Sequence, residues 1–382
     1  MSEYQYYEFQ AIDRPLTEKE MGDLRSYSTR ARITPTSFVN DYSWGNFKGD
    51  EDAWVEKYFD AFLYLANWGT HVFKLRLPSR LLDLKTAHLY CLGEKAFAHE
   101  KNGKVILSFL SEDEGGGEWV EGEGSLSSLI SVRAEIARGD LRCLYLGWLL
   151  CAQNGELDEE EVEPPIPPGL GQLTASLESL VEFLRIDSNL IHVAARASQP
   201  LQEVQPKQTE IREWVKNFPS AEKDDVLASL IVGEDPALTT DLLRRFIKEC
   251  GSGDREIAEQ NEKRTVGELL RAAEERAEEN RRIAAKKAAE EKTRREREAA
   301  EHREKYLNEI AKRELDLWNQ VETLISTKQP KSYDQAVRLL IDLRDLSTRK
   351  GKMVEFKARL DALRAAQTRK PSFIERLRRA GL

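Results

Sequence analysis

The chain has 382 residues, 40% of them hydrophobic and 33% charged, and a formal net charge of −9. That length accommodates two or three domains of ~100–200 residues with real cores, and the charged fraction exceeds the ~25% of an average globular protein because one segment holds much of the excess. Four cysteines with no CxxC pair do not make a secreted disulfide framework, and the longest apolar stretch, Leu144 to Ala152, falls short of the ~20 residues that span a bilayer.

Cys143 and Cys151 sit in that apolar run, where cysteine behaves as a small hydrophobe; Cys91 and Cys250 stand apart. The opening MSEYQYYEFQ lacks the basic start and apolar run of a signal peptide. A cytoplasmic location is expected. Charge is unevenly spread. Residues 321–382 hold 15 Lys/Arg against 7 Asp/Glu, and residues 251–320 hold 17 against 18. Residues 1–250 therefore carry about −16. Such asymmetry points to different partners for different parts.

In chain order, residues 1–111 read as an α/β body with a mixed or antiparallel sheet. The aromatic-rich Tyr4 to Ile12 suits a strand. Thr17 and Glu20 form a capping box, with Leu16 and Met21 placed for a hydrophobic staple. Trp54, Val55, Tyr58, Phe59, Phe62, Leu63 and Ala66 recur at three- and four-residue spacing, which predicts a helix from Glu51 to Trp68, stopped by Gly69. Val72, Lys74 and Arg76 alternate with Phe73, Leu75 and Leu77 as in a strand, and a further strand is expected over Ala87–Leu92. Phe97–Glu100 and Val105–Leu110 flank Asn102-Gly103, a tight-hairpin signature. These strands follow one another too closely for helical crossovers.

Glu112-Asp113-Glu114-Gly115-Gly116-Gly117 is an acidic glycine loop, and Ser125–Arg138 and Leu141–Ala152 read as helices. The acidic, proline-rich Glu156–Gly171 suits a linker. Helices are then expected at Leu173–Leu184, Glu210–Asn217, Ala221–Ile231 and Ala237–Lys248, the last opened by Asp235-Pro236 and the block closed by Gly251-Ser252-Gly253. One long helical pattern follows from Val266 to Ile325. Between Leu270 and Tyr306 its only large aliphatic is Ile283. Glu278 with Arg282, Glu290 with Arg294 and Glu291 with Arg295 give ~0.2–0.5 kcal/mol each. The large apolar residues a coiled coil needs at its seam are missing, which favours a solvated single helix over a paired one. Tyr333, Val337, Leu340, Leu343 and Leu346 mark the next helix, Val354, Phe356, Leu360 and Leu363 another, and Pro371 with Phe373, Ile374 and Leu377 a short last one.

The fold class expected is thus an α+β N-terminal domain, then a mostly α-helical region, a long charged helix and a small C-terminal helical bundle. The divisions fall at 1–155 for the body, 156–171 for the linker, 172–253 for a helical domain, 254–320 for the charged helix and 321–382 for the basic bundle.

YEFQAIDRPL, ITPTSFVNDYSWGNFKG and FDAFLYLANWG resemble the N-terminus of an uncharacterised bacterial protein family with no activity attached. YDQAVRLLIDLRDLSTRKG followed by RKPSFIERLRRAGL resembles the helical C-terminus of bacterial SWIM zinc-finger proteins over about the last fifty residues. The resemblance implies a shared helical module and a setting near DNA-associated machinery. Zinc ligands in that family follow CxC and CxH. This chain has neither pair, so neither metal nor cofactor is carried over.

The first candidate site is RARITPTSFVNDYSWGNFKG, where Arg30, Arg32 and Lys48 mix with Phe38, Tyr42, Trp44 and Phe47. Interleaved cations and aromatics can stack on bases or grip a peptide. The ordinary alternative is that the aromatics pack on the body's own core. Asp83-Leu84-Lys85 echoes a nuclease D-x-K, but Asp13, Asp41 and Asp60 are not brought to it by spacing. His71, His88, His99 and Cys91 lack zinc-site spacing, and Gly115–Gly117 precedes no helix start. The second candidate is the basic tail, with Arg349, Lys350, Lys352, Arg369, Lys370, Arg376, Arg378 and Arg379, suited to phosphates or an acidic surface. The expected function is a non-enzymatic adaptor binding protein partners through its N-terminal body and C-terminal helices. The alternatives are a nucleic-acid-associated subunit using residues 321–382 and an enzyme within the N-terminal domain. No membrane association is expected.

Overall fold

A computed structural model describes residues 3–113, 122–201, 207–233, 235, 237–250 and 263–382. Glu114–Gly117 of the acidic glycine loop, Pro236, Gly251-Ser252-Gly253 and residues 254–262 of the expected charged helix lie outside the described residues. The elements in order are β1 Gln5–Gln10, α1 Glu18–Arg25, β2 Arg32–Thr34, β3 Ser37–Tyr42, α2 Glu51–Lys57, β4 Ala61–Ala66, β5 His71–Pro78, α3 Leu84–Ala87, β6 Ala96–Lys101 and β7 Lys104–Ser111. Then come α4 Ser125–Leu129, α5 Ser131–Ala137, α6 Arg142–Gln153, α7 Ala175–Leu184, α8 Ser188–Ala195, α9 Gln208–Lys216, α10 Ser220–Val232 and α11 Leu238–Cys250. The chain ends with α12 Val266–Ala311, α13 Glu314–Ser326, α14 Pro330–Arg349, α15 Met353–Ala366 and α16 Pro371–Arg379. No helix among the described residues is long and apolar enough to cross a membrane. Contacts group the chain into two compact units, residues 1–279 and 280–382.

In the first unit the strands form one seven-stranded antiparallel sheet, ordered β2-β3-β1-β4-β5-β7-β6. Period-two alternation builds both of its faces. Tyr7, Phe9, Phe38, Phe62 and Ile106 look to one side and pack with Leu24 of α1 and Trp54 and Val55 of α2. Leu63, Leu65, Phe73, Leu75, Leu77, Leu107 and Phe109 look to the other, under α4 to α8. Thr17 caps α1 in the expected box with Glu20. The β6–β7 hairpin turns on Asn102 and Gly103, both left-handed at φ 52° and 70°, the backbone that this dipeptide favours.

Three expectations are corrected. The helix from Glu51 to Trp68 is α2 only as far as Lys57; residues 61–66 are β4, between β1 and β5. A strand covered on both faces is apolar throughout, so AFLYLA satisfied a helical template as well as a strand one. The break falls after Lys57: the Asp60 N–H donates to the Gln10 carbonyl at 2.8 Å and its buried carboxylate meets Arg76. Residues 87–92 form no strand: Asp83 caps α3, accepting from the Thr86 N–H at 2.8 Å, and turns follow to Cys91. The long helix does not reach Ile325 unbroken; it stops at Ala311 and α13 restarts at Glu314. The break lets both Leu307–Ile310 and Leu317–Val321 face one core. Strands β2 and β3 and helix α8 were not foreseen.

The sheet edges are short or covered. β2 has three residues, and on β6 His88 Nε2 meets the Ala98 carbonyl at 3.0 Å, occupying a group that would otherwise invite another strand. The acidic segment 156–171 forms neither helix nor named strand. It instead holds the start of α12. Val162 bridges Thr265, Glu163 N–H donates to the Arg264 carbonyl at 2.9 Å, and Val266 N–H donates to the Glu161 carbonyl at 2.9 Å. Arg264 grips the buried Glu163 carboxylate with two bonds of 2.7 Å, and the Tyr145 hydroxyl donates to the same group.

In the second unit the later part of α12 and α13 to α16 enclose their own core, including Ile310, Trp318, Val321, Leu340, Leu343, Phe356 and Phe373. Arg303 reaches Asp342 and Asp345 at 2.5 and 2.7 Å, and Tyr306 donates to Asp342 at 2.8 Å. The mid-section of α12, residues 279–290, is solvent-exposed around its circumference, laced further on by pairs such as Arg295–Glu291 and Arg297–Glu301.

Candidate functional site

The sheet's first face ends in an open groove of about 540 Å³. Its floor starts with Gln5 on β1, 2% exposed. Gln5 Oε1 accepts from the Tyr7 hydroxyl at 2.8 Å and the Tyr64 hydroxyl at 3.3 Å, while Nε2 donates to the Gly45 carbonyl at 2.9 Å. One buried amide therefore fixes two phenols and the 43–46 turn. Phe47 stacks on Tyr7 at 4.9 Å, and Tyr64 leans on Tyr7 at 4.7 Å. Trp68, 42% exposed, and the Asp50-Glu51-Asp52 start of α2 complete the walls. Gly49 is required there, because a Cβ would stand 2.6 Å from the Phe47 ring and 2.8 Å from Trp54.

The electrostatics follow from burial. Burial raises Tyr7 above the ordinary tyrosine range and pushes Tyr64 up to about 12, so both phenols remain neutral donors at physiological pH. Burial also raises Glu51, against the pull of Lys74, whose Nζ lies 2.5 Å from Asp52 and 4.0 Å from Glu51. Asp50 caps α2 by accepting from the Ala53 N–H at 3.0 Å. An aromatic floor beside carboxylates suits a cationic side chain: the ring faces attract it and the acid rim complements it.

The residues singled out in the sequence divide. Phe47 lines the groove, and Tyr42 meets Tyr7 edge-on at 5.7 Å just behind it. Arg30 lies over Trp44 at 5.5 Å, an exposed pair with Trp44 71% open to solvent. Arg32 is held by Glu123 at 3.2 Å, and Lys48 faces solvent. Gln5, Tyr7, Tyr64 and Trp68 went unnoticed in the sequence. Tyr7 lies on a strand expected from its aromatic content alone, with no face assigned, and Tyr64 and Trp68 were hidden by the helical reading of their segment.

In the basic tail Arg349 pairs with Glu304 at 3.5 Å, Lys350 with Glu314 at 2.7 Å, Lys352 with Glu355 at 3.3 Å, Arg376 with Asp334 at 2.7 Å and Arg379 with Glu375 at 3.2 Å. Lys370 donates to the Ile325 carbonyl at 2.9 Å. Arg369 and Arg378 are exposed. Despite these pairs residues 280–382 hold 27 Lys/Arg and 16 Asp/Glu, whereas residues 1–279 hold 31 and 51.

A second hollow of about 490 Å³ lies beside Gln172, Glu178, Ser188 and His192. Among the described residues no group of three His, Cys, Asp or Glu side chains is placed to hold a metal ion. His71 is taken by Phe183 and Arg185, and His88 by Ala98. Compared with protein-family models, curated proteins and solved structures, the chain matches none.

Proposed function

We propose that the chain is a non-enzymatic adaptor that binds protein partners through its N-terminal body and its C-terminal helices. The groove floored by Tyr7, Phe47, Tyr64 and Trp68 carries the reading. It is open rather than enclosed, aromatic, and rimmed by acid, which suits a lysine or arginine side chain presented by a partner's surface or tail. The buried charge pairs of the body, Asp60 with Arg76 and Glu163 with Arg264, join structural elements elsewhere. Cys91, Cys143 and Cys151, buried as free thiols, fit a cytoplasmic setting.

An array of Lys- and Arg-containing peptides tests this on the full chain. Basic peptides bind the wild type, and Trp68→Ala weakens them at least tenfold. Equal retention of basic and acidic peptides, or no effect of Trp68→Ala, removes the groove from the function.

A second reading, a nucleic-acid-associated subunit, is supported by the 27-to-16 excess of cations over anions in residues 280–382. It requires binding that weakens steeply with salt and disappears when residues 321–382 are deleted. No gel shift at low salt removes it.

A further inference from the structure

The aromatic groove offers ring surface more freely than it offers hydrogen-bond acceptors. Tyr7 is buried, packed on Phe47 at 4.9 Å and on Tyr64 at 4.7 Å. The ring surface open to a ligand is therefore that of Phe47, Tyr64 and the 42%-exposed Trp68. The hydroxyls of Tyr7 and Tyr64 both donate to Gln5 Oε1, which leaves ring carbon for whatever enters the groove.

The acceptors around it are engaged from within the chain. Asp52 holds Lys74 Nζ at 2.5 Å, Asp50 accepts from the Ala53 N–H at 3.0 Å, and Asn46 Oδ1 accepts from Gln5 Nε2 at 3.3 Å. Lys74 is itself 6% exposed, with its Nζ 5.5 Å from the centre of the Phe62 ring and 4.0 Å from Glu51. One primary ammonium thus already uses the hydrogen bonds of this rim. A second, with three N–H donors taken out of water, would have to compete with it. A trimethylammonium group carries the same charge, has no N–H to satisfy, and meets ring faces through its methyl groups. Asp50, Glu51 and Asp52, three carboxylates against the one cation of Lys74, complement its charge through space.

We infer that the group this groove takes is the side chain of a trimethylated lysine on a partner protein, an inference that rests on the groove being the binding site proposed above. The open form of the groove argues for a group carried by a larger molecule. A free small ligand is normally buried over most of its surface, whereas an open groove covers only one side of what enters it. Methylation of the partner then controls docking, because ring faces with few free acceptors favour the modified side chain over the unmodified one.

The test is isothermal titration of the full chain with three peptides that differ at one residue: lysine, trimethyllysine, and a neutral isostere in which a tert-butyl group replaces the trimethylammonium. The trimethyllysine peptide should bind about tenfold more tightly than either of the others, the size of one desolvated cation–π contact. Trp68→Leu, which keeps apolar bulk at an exposed position and removes the indole, should bring trimethyllysine to within about twofold of the isostere while the melting transition stays in place. Equal affinity for lysine and trimethyllysine, both weakened by Trp68→Leu, overturns the inference and leaves the groove as a site for basic side chains. Absence of binding by all three peptides overturns both. An isostere that binds as well as trimethyllysine also overturns the inference, because the contact is then apolar rather than cationic. So does free choline binding as tightly as the trimethyllysine peptide, because the ligand is then a small quaternary amine and not a partner's side chain.

Discussion

At the scale of single residues, the body is held by buried charges whose partners come from distant elements. Asp60, 1% exposed, accepts from the N–H groups of Ile12 and Asp13 at 2.7 and 2.8 Å and from Arg76 at 2.8 and 3.1 Å. Burial opposes its ionisation, yet Arg76, these N–H groups and Arg133 hold it below the usual carboxylate range. Asp60→Asn keeps the shape and strands the Arg76 charge. It should lower unfolding free energy by about 3–5 kcal/mol in denaturant titration. The stability from Asp60 is present above ~4 and is lost as pH falls through the lower folded value. His71 works at higher pH. Its Nδ1 meets the Phe183 carbonyl at 2.7 Å, its Nε2 meets Arg185 at 3.0 Å, and its ring stacks on Phe183 at 4.7 Å. Burial lowers its pKa; the carbonyl opposes and Arg185 adds to the lowering. The neutral ring is thus the folded form. Its contribution is complete above the ordinary value near ~6.5 and is lost as pH falls through the folded value. Melting temperature should fall between pH 7 and 5 in the wild type and fall less in His71→Gln; parallel curves would remove His71 from this role.

At the scale of elements, local chemistry and packing divide the explanation. The β6–β7 turn is local. Nothing stands within 4 Å of a Cβ at Gly103, whose φ is +70°, so Gly103→Val is penalised by backbone conformation alone. It should cost about 1–2 kcal/mol or more for a β-branched residue, read as loss of amide-exchange protection in β6 and β7. The Thr17 box and the Asn102-Gly103 hairpin were legible because their signals lie within four residues. Residues 51–66 were not, because Trp54, Phe59, Phe62 and Leu63 fit a helical stripe equally well. Only the pairing of β4 with β1 and β5, and the seat of Asp60 against Arg76, separates the two readings. The same reason hid most of the groove. Gln5, Tyr7, Phe47, Tyr64 and Trp68 meet only once β1 and β4 are paired and the 43–49 loop is folded over Tyr7.

At the scale of the whole molecule, two cores and two charge balances stand out. Residues 280–382 have an apolar core of their own and an excess of cations; residues 1–279 have theirs and an excess of anions. Leu343 is fully buried in the C-terminal core. Leu343→Ala should cost about 2–5 kcal/mol and lower one calorimetric transition, while Asp60→Asn lowers another. A single transition shifted by both substitutions would show that the cores unfold together. By itself the sequence determined the strand alternation of 71–77, the hairpin, the caps, the charged helix without an apolar seam, the C-terminal bundle and the charge asymmetry. Each is a property of neighbours along the chain or of summed composition. Only the tertiary structure decided that 61–66 is a central strand, that 32–42 supplies two more, and that five aromatic or amide side chains from four segments make one groove. Those outcomes depend on long-range pairing, in which the energy of a segment is set by what covers it rather than by its own pattern.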